Sequence, residues 1–176
     1  MKLFKKFSKK RYNIGIGTDI AKTAIVDPHS TVGKYTFIGD NSGVTKTVIG
    51  NYCSIGSSVT IGPGEHPITE ISTSHLFLKD NPYEEFTQKD CIIGNDVWIV
   101  TGSIIRRGVK IGNGAVIGAN SFVNKDVPDF AVVAGNPARV IKYRFNEETQ
   151  KRILETKWWD KDLDEARKII ESINIE

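Results

Sequence analysis

Fifteen aliphatic residues recur at an almost constant interval of six along most of this chain. Ile14, Ile20, Val26, Val32, Ile38 and Val44 stand six apart, and one five-residue step leads to Ile49, Ile55 and Ile61. After a break the series resumes at Ile93, Ile99, Ile105, Ile111, Ile117 and Val123. Gly follows nine of the fifteen, as in Val32-Gly33, Ile49-Gly50 and Ile111-Gly112. Four residues after each aliphatic the side chain is usually small or β-branched: Ala24, Ser30, Thr36, Ser42, Cys53, Val59, Val97, Ser103, Ala115 and Ser121. A period of six fits neither an amphipathic helix, at about 3.6, nor a lone amphipathic strand, at about 2. It fits an all-β solenoid of short strands with a turn every six residues. Each aliphatic then points into a narrow shaft, the small residue fits where the wall bends, and Gly relieves crowding near the bend. Stacked coils pair every strand with those above and below, so no coil is stable alone. A β-sandwich rich in Ile and Val would instead space its strands irregularly, at about 8–12 residues.

Three stretches fall outside the repeat. Residues 1–12 form a basic N-terminal tail carrying Lys2, Lys5, Lys6, Lys9, Lys10 and Arg11. The solenoid is expected over residues 13–128, interrupted by a polar, Pro-containing excursion loop at 63–90. Residues 129–176 end the solenoid and read as helical. Asn146 is positioned to cap one helix running to about Glu155, and Asp162 a second with Leu163, Ala166, Ile169, Ile170 and Ile173 on one face.

A net charge of +3 is too small to argue for nucleic acid as a partner. The basic tail is either a weak contact with an anionic membrane surface or a solvated terminus. No stretch is long and apolar enough to span a bilayer, and no secretory segment follows the basic start. Two cysteines, Cys53 and Cys91, make no disulfide framework. The expected compartment is cytoplasmic.

Two segments resemble a known family. Residues 91–145, CIIGNDVWIVTGSIIRRGVKIGNGAVIGANSFVNKDVPDFAVVAGNPARVIKYRF, resemble the C-terminal coils of hexapeptide-repeat acetyltransferases. Residues 49–78, IGNYCSIGSSVTIGPGEHPITEISTSHLFL, together with Lys157-Trp158-Trp159-Asp160, resemble the xenobiotic acetyltransferase branch. That branch includes streptogramin and chloramphenicol acetyltransferases and many surface-sugar O-acetyltransferases. The resemblance implies a left-handed parallel β-helix with an excursion loop and C-terminal α-helices, assembled as a homotrimer. It implies transfer of an acetyl group from acetyl-CoA to a hydroxyl on a small acceptor. The chain departs from the family at Val100, where Gly is usual, and at Asn124, where Thr is common. Glu65 precedes the loop His where antibiotic-acetylating members tend to have Asn. A sugar of a surface polysaccharide or its precursor is therefore the expected acceptor, with an antibiotic as the alternative.

A thioester is already reactive, but an alcohol is a poor nucleophile until its proton is being removed. One positioned base with a pKa near neutrality is the efficient device, and His is the natural choice. His66 ends the last regular hexapeptide before the loop and, by resemblance, occupies the catalytic position. His75 lies deeper in the loop, and His29 reads as a wall residue. Glu65 either orients the His66 imidazole or faces solvent. Ser72, Thr73 and Ser74 are acceptor-binding hydroxyls or turn residues. Trp98 either flanks the acceptor pocket or packs at a corner. The resemblance also assigns acetyl-CoA contacts to Thr101, Ala119, Asn124 and Lys125, and to Arg139 and Lys142 near the phosphates. For the last two, plain surface charge is the other reading. A γ-carbonic-anhydrase-like zinc site would need three His ligands, and the spacing of His29, His66 and His75 does not match, so no metal is expected. A non-enzymatic β-helix scaffold would explain the repeat but not the GEHP loop or the GNPARVI tail.

Overall fold

The computed structural model describes residues 13–77, 84 and 86–173. The basic residues of the 1–12 tail, and with them its expected membrane contact, lie outside this range. Fifteen strands of two or three residues, numbered along the chain, build three walls. The first wall stacks β1 (Asn13–Ile14), β4 (Thr31–Val32), β7 (Thr47–Ile49), β10 (Cys91–Ile93) and β13 (Lys110–Ile111). The second stacks β2 (Asp19–Ile20), β5 (Phe37–Ile38), β8 (Ser54–Ile55), β11 (Trp98–Ile99) and β14 (Val116–Ile117). The third stacks β3 (Ile25–Val26), β6 (Gly43–Val44), β9 (Thr60–Ile61), β12 (Ile104–Ile105) and β15 (Phe122–Val123). All of these neighbours pair in parallel, aliphatic on aliphatic: Ile49 on Ile93 on Ile111, Ile55 on Ile99 on Ile117, Ile61 on Ile105 on Val123. From Val32 onward the repeating aliphatics are buried in one continuous shaft. Ile14 is 40% exposed, because among the described residues no coil stacks on the first one.

The corners explain the rest of the repeat. The third residue after the aliphatic turns the chain through positive φ, at Tyr35, Asn41, Tyr52, Ser58, Asp96 and Asn120, or at Gly17, Gly102, Gly108 and Gly114. Coils approach so closely that a Cβ on Gly33 would stand 2.4 Å from the Gly50 carbonyl oxygen. The small polar residue at the bend also bridges coils. Thr36 Oγ1 donates to the Gly50 carbonyl at 3.0 Å and accepts the Cys53 amide at 3.0 Å. Ser42 and Ser103 make the same link, to the carbonyls of Gly56 and Gly118. A second ladder climbs the first corner, where the Oδ1 atoms of Asn51, Asn95, Asn113 and Asp129 each accept an amide from the coil before.

Residues 129–176 are not helical throughout. β16 (Ala131–Gly135) stacks in parallel on β14, and β17 (Ala138–Tyr143) returns antiparallel to it, so a hairpin extends the second wall before any helix begins. α1 (Glu147–Thr156) follows, its first turn closed by Asn146 Oδ1 accepting the Thr149 amide at 2.8 Å. α2 (Leu163–Ser172) starts after Asp162, whose carboxylate pairs with Lys34 rather than capping the helix. Only Ala166 of α2 is fully buried, and Leu163 and Ile170 stay about half exposed. Phe130, Ile153, Trp158, Trp159 and Ala166 make a second core against the first corner. Tyr35 packs at a tilt against Tyr52, Tyr52 against Trp158, and Tyr52 Oη donates to the Lys161 carbonyl. No described helix is long and apolar enough to cross a membrane.

Candidate active site

The third corner carries the excursion. The chain leaves the stack after Ile61 and returns at Cys91. Where it leaves, a cleft of about 500 Å³ opens beside the later turns of the same corner. His66, Phe86, Lys89, Arg106, Asn124 and Lys125 are among its lining residues. His66 is exposed at its edge and stacks on Phe86, with ring centroids 4.4 Å apart and planes 26° apart. Its Nδ1 lies 2.5 Å from the Thr73 carbonyl oxygen. A carbonyl only accepts, so Nδ1 carries the proton and a neutral imidazole has its lone pair on Nε2.

Glu65 does not reach the imidazole. Its carboxylate takes the Arg106 guanidinium two-pronged, Nε to Oε1 at 2.5 Å and Nη2 to Oε2 at 3.3 Å. Its amide donates to the Phe86 carbonyl at 3.0 Å, tying the two ends of the loop together. Ser72 Oγ accepts the Ser74 amide, and Ser74 Oγ accepts the Leu76 amide; both bonds close local turns. Thr73 meets His66 through its backbone. His75 opens a short 3₁₀ turn, His75–Phe77, and is exposed. Among the described residues no three His, Cys, Asp or Glu side chains gather as metal ligands would.

Of the residues assigned to acetyl-CoA, Asn124 and Lys125 line the same cleft as His66. Asn124 Oδ1 is buried and has no hydrogen-bond partner. Thr101 and Ala119 sit elsewhere, exposed on the second corner after β11 and β14. Arg139 and Lys142 lie on β17, both exposed. Trp98 faces outward from the second wall, 53% exposed. One protomer therefore brings together His66, Asn124 and Lys125 and leaves the others on separate surfaces. Sequence reasoning missed Phe86, Lys89, Arg106 and Arg107. The signal available was Arg106-Arg107 directly after Ile105, since none of the other fourteen repeating aliphatics is followed by two cations.

Both thiols are buried and free. Burial pushes Cys53 up to about 12 and raises Cys91 as well, so neither supplies a thiolate nucleophile near neutrality.

A three-walled parallel solenoid with a corner excursion that holds a histidine is the architecture of the hexapeptide transferases. Residues 90–125 match the family described as bacterial transferase hexapeptide (six repeats). A chloramphenicol acetyltransferase of Agrobacterium fabrum (strain C58) is 35% identical over 161 residues, spanning 77% of each chain. A galactoside O-acetyltransferase of Escherichia coli (strain K12) is 35% identical over 129 residues, 70% of this chain and 62% of that one. The crystal structure of a hexapeptide-repeat acetyltransferase from Vibrio cholerae complexed with acetyl coenzyme A superposes with a TM-score of 0.54 at 29% identity, covering 73% of this chain and 71% of that one. The chain belongs to the hexapeptide-repeat acetyltransferases, in their xenobiotic acetyltransferase branch. It is an acetyl-CoA-dependent acyltransferase on a left-handed parallel β-helix.

Proposed function

We propose that the protein is an O-acetyltransferase acting on a sugar hydroxyl of a surface polysaccharide or its precursor, with His66 as general base. The observation that carries this is the 2.5 Å contact from His66 Nδ1 to the Thr73 carbonyl, which leaves Nε2 as the acceptor at the edge of the cleft. Nε2 takes the acceptor's hydroxyl proton as its oxygen attacks the thioester carbonyl. The tetrahedral intermediate expels CoA thiolate, and the imidazolium returns the proton to that sulfur. The buried, unpartnered Asn124 Oδ1 fits a donor carrying amide N–H groups, as the pantetheine arm does.

A lining of Gln88, Lys89, Arg106, Lys125 and Asp126 suits a polyhydroxylated acceptor. The second reading, acetylation of an antibiotic, is favoured by the chloramphenicol and macrolide acetyltransferases among the relatives at about 35% identity. Against it, Glu65 replaces the Asn expected before the loop His, and its carboxylate is bound to Arg106. Turnover of acetyl-CoA with a panel of sugars and with chloramphenicol decides between them: acetylation of chloramphenicol but of no sugar overturns the sugar reading.

The assembly belongs to the same proposal. Ile68, Ile71, Leu76 and Phe77 of the loop are all more than 75% exposed, an apolar surface suited to a second copy of the chain. A cyclic trimer would set the third corner of one protomer against the second corner of the next. His66, Asn124 and Lys125 would then meet Thr101 and Ala119 across a shared interface.

His66→Ala should lower kcat by about two to four orders of magnitude, the span for a lost general base. Acetyl-CoA binding should stay nearly intact in calorimetry, and His75→Ala should cost far less. Loss of turnover in His75→Ala alone would reassign the base.

A further inference from the structure

Arg107 is 7% exposed, and among the described residues it makes no ion pair. A buried cation without a counter-ion is costly unless its donors are met. Here backbone carbonyls meet them. Nη1 donates to Thr45 at 3.0 Å, Lys89 at 3.2 Å and Lys46 at 3.3 Å. Nη2 donates to Gly62, and Nε to Pro63 at 3.4 Å. These carbonyls come from three places: the short corner at Thr45-Lys46, the start of the excursion at Gly62-Pro63, and its end at Lys89. One planar fork thus fastens both ends of the loop to the coil.

Gly62 is shaped for this grip. It turns at φ +61, and a Cβ there would come within 2.8 Å of the Thr45 oxygen and 3.0 Å of Arg107 Cζ. His66 stands three residues beyond Pro63, and Phe86, the ring it stacks on, three residues before Lys89. Both sides of the imidazole's seat therefore hang from points that Arg107 holds.

We propose that Arg107 is a positioning residue for the transfer reaction: by clamping both ends of the excursion through backbone carbonyls, it fixes where His66 stands over the cleft. This rests on the reading of His66 as the base. Lysine keeps the charge but concentrates its donors at one atom, so it does not span the same carbonyls. Small displacements of a reacting group are expensive, about 10²-fold for 1 Å.

The test is Arg107→Lys, alone and combined with His66→Ala, in the full-length protein. The expected result is a fall in kcat of about 10- to 100-fold, with the acetyl-CoA Kd unchanged. The same substitution should cost nothing further in the His66→Ala background. The chain has three histidines, so ¹⁵N-histidine labelling resolves the His66 ring by NMR. Wild type should show the Nδ1–H form, and Arg107→Lys a mixture with the Nε2–H form. An unchanged ring signal, or the same fold-loss without His66, overturns the proposal. If Arg107→Lys does not fold, Gly62→Ala presses on the same fork with the arginine intact and is read by the same criteria. Full activity in His66→Ala alone would remove the base assignment instead. The ring signal would then still decide whether Arg107 holds the imidazole.

Discussion

Asp96 occupies the positive-φ position of the first corner and lies partly buried beside the C-terminal segment. Burial raises its pKa, against the opposing pull of Arg144, whose Nη1 lies 3.1 Å from Oδ2. A folded-state value above the unfolded one means that the folded protein binds this proton more tightly. The resulting stabilisation is complete below the ordinary carboxylate range and is lost as pH rises through the raised value. At neutral pH the charge therefore costs stability. Asp96→Asn keeps an acceptor for Arg144, which also donates to the Gly114 carbonyl. The variant should gain Tm over wild type at pH 7 and gain less near pH 4. A variant that loses more Tm at pH 7 than at pH 4 would show that the Arg144 pair outweighs desolvation. His66 was legible as a candidate because the repeat stops beside it. Its Thr73 partner was not, because the contact is to a carbonyl, which every residue carries. Arg107 was missed for the same reason, since all its partners are backbone.

Single side chains recur as columns at the level of the turn. Asn95 accepts the Asn51 amide at 2.8 Å and donates from Nδ2 to Asn113 at 2.9 Å. Asn95→Ala leaves a partly buried amide unmet and should cost about 1–3 kcal/mol, read as a lower denaturant midpoint. Lys110→Ala, an outward wall position, is the comparison. Equal losses from the two would deny the ladder its role. The strands were readable from the sequence because stacking makes the same demand every six residues. The hairpin of β16 and β17 was not, because its strands run to five and six residues and leave the period. Nor was the corner on which α1 and α2 dock. That docking depends on Tyr35 and Tyr52 sharing one corner, and a linear reading counts them seventeen residues apart.

For the molecule as a whole, the groups assigned to the donor are spread over two corners and β17, and the assembly proposed above would bring the two corners together. Light scattering should give three times the chain mass, and a stable, active monomer would remove the shared-interface site. Replacing Arg139 and Lys142 together with Gln should raise the acetyl-CoA KM more than it lowers kcat at saturation. An unchanged KM would return both residues to ordinary surface charge. The excursion has a further consequence. Its ends, at Gly62 and Cys91, are set by strands whose places in the stack are already fixed by β6 and β7 before them and by β12 and β13 after them. The gap to be bridged is therefore the same however much chain bridges it, and doubling a flexible loop adds only about 0.6 kcal/mol of closure entropy. Chain inserted between the seat of His66 and the carbonyls that Arg107 holds at Pro63 and Lys89 need not shift the strands on either side. The number of residues between Gly62 and Cys91 is a dimension of the solenoid that stacking leaves free to drift.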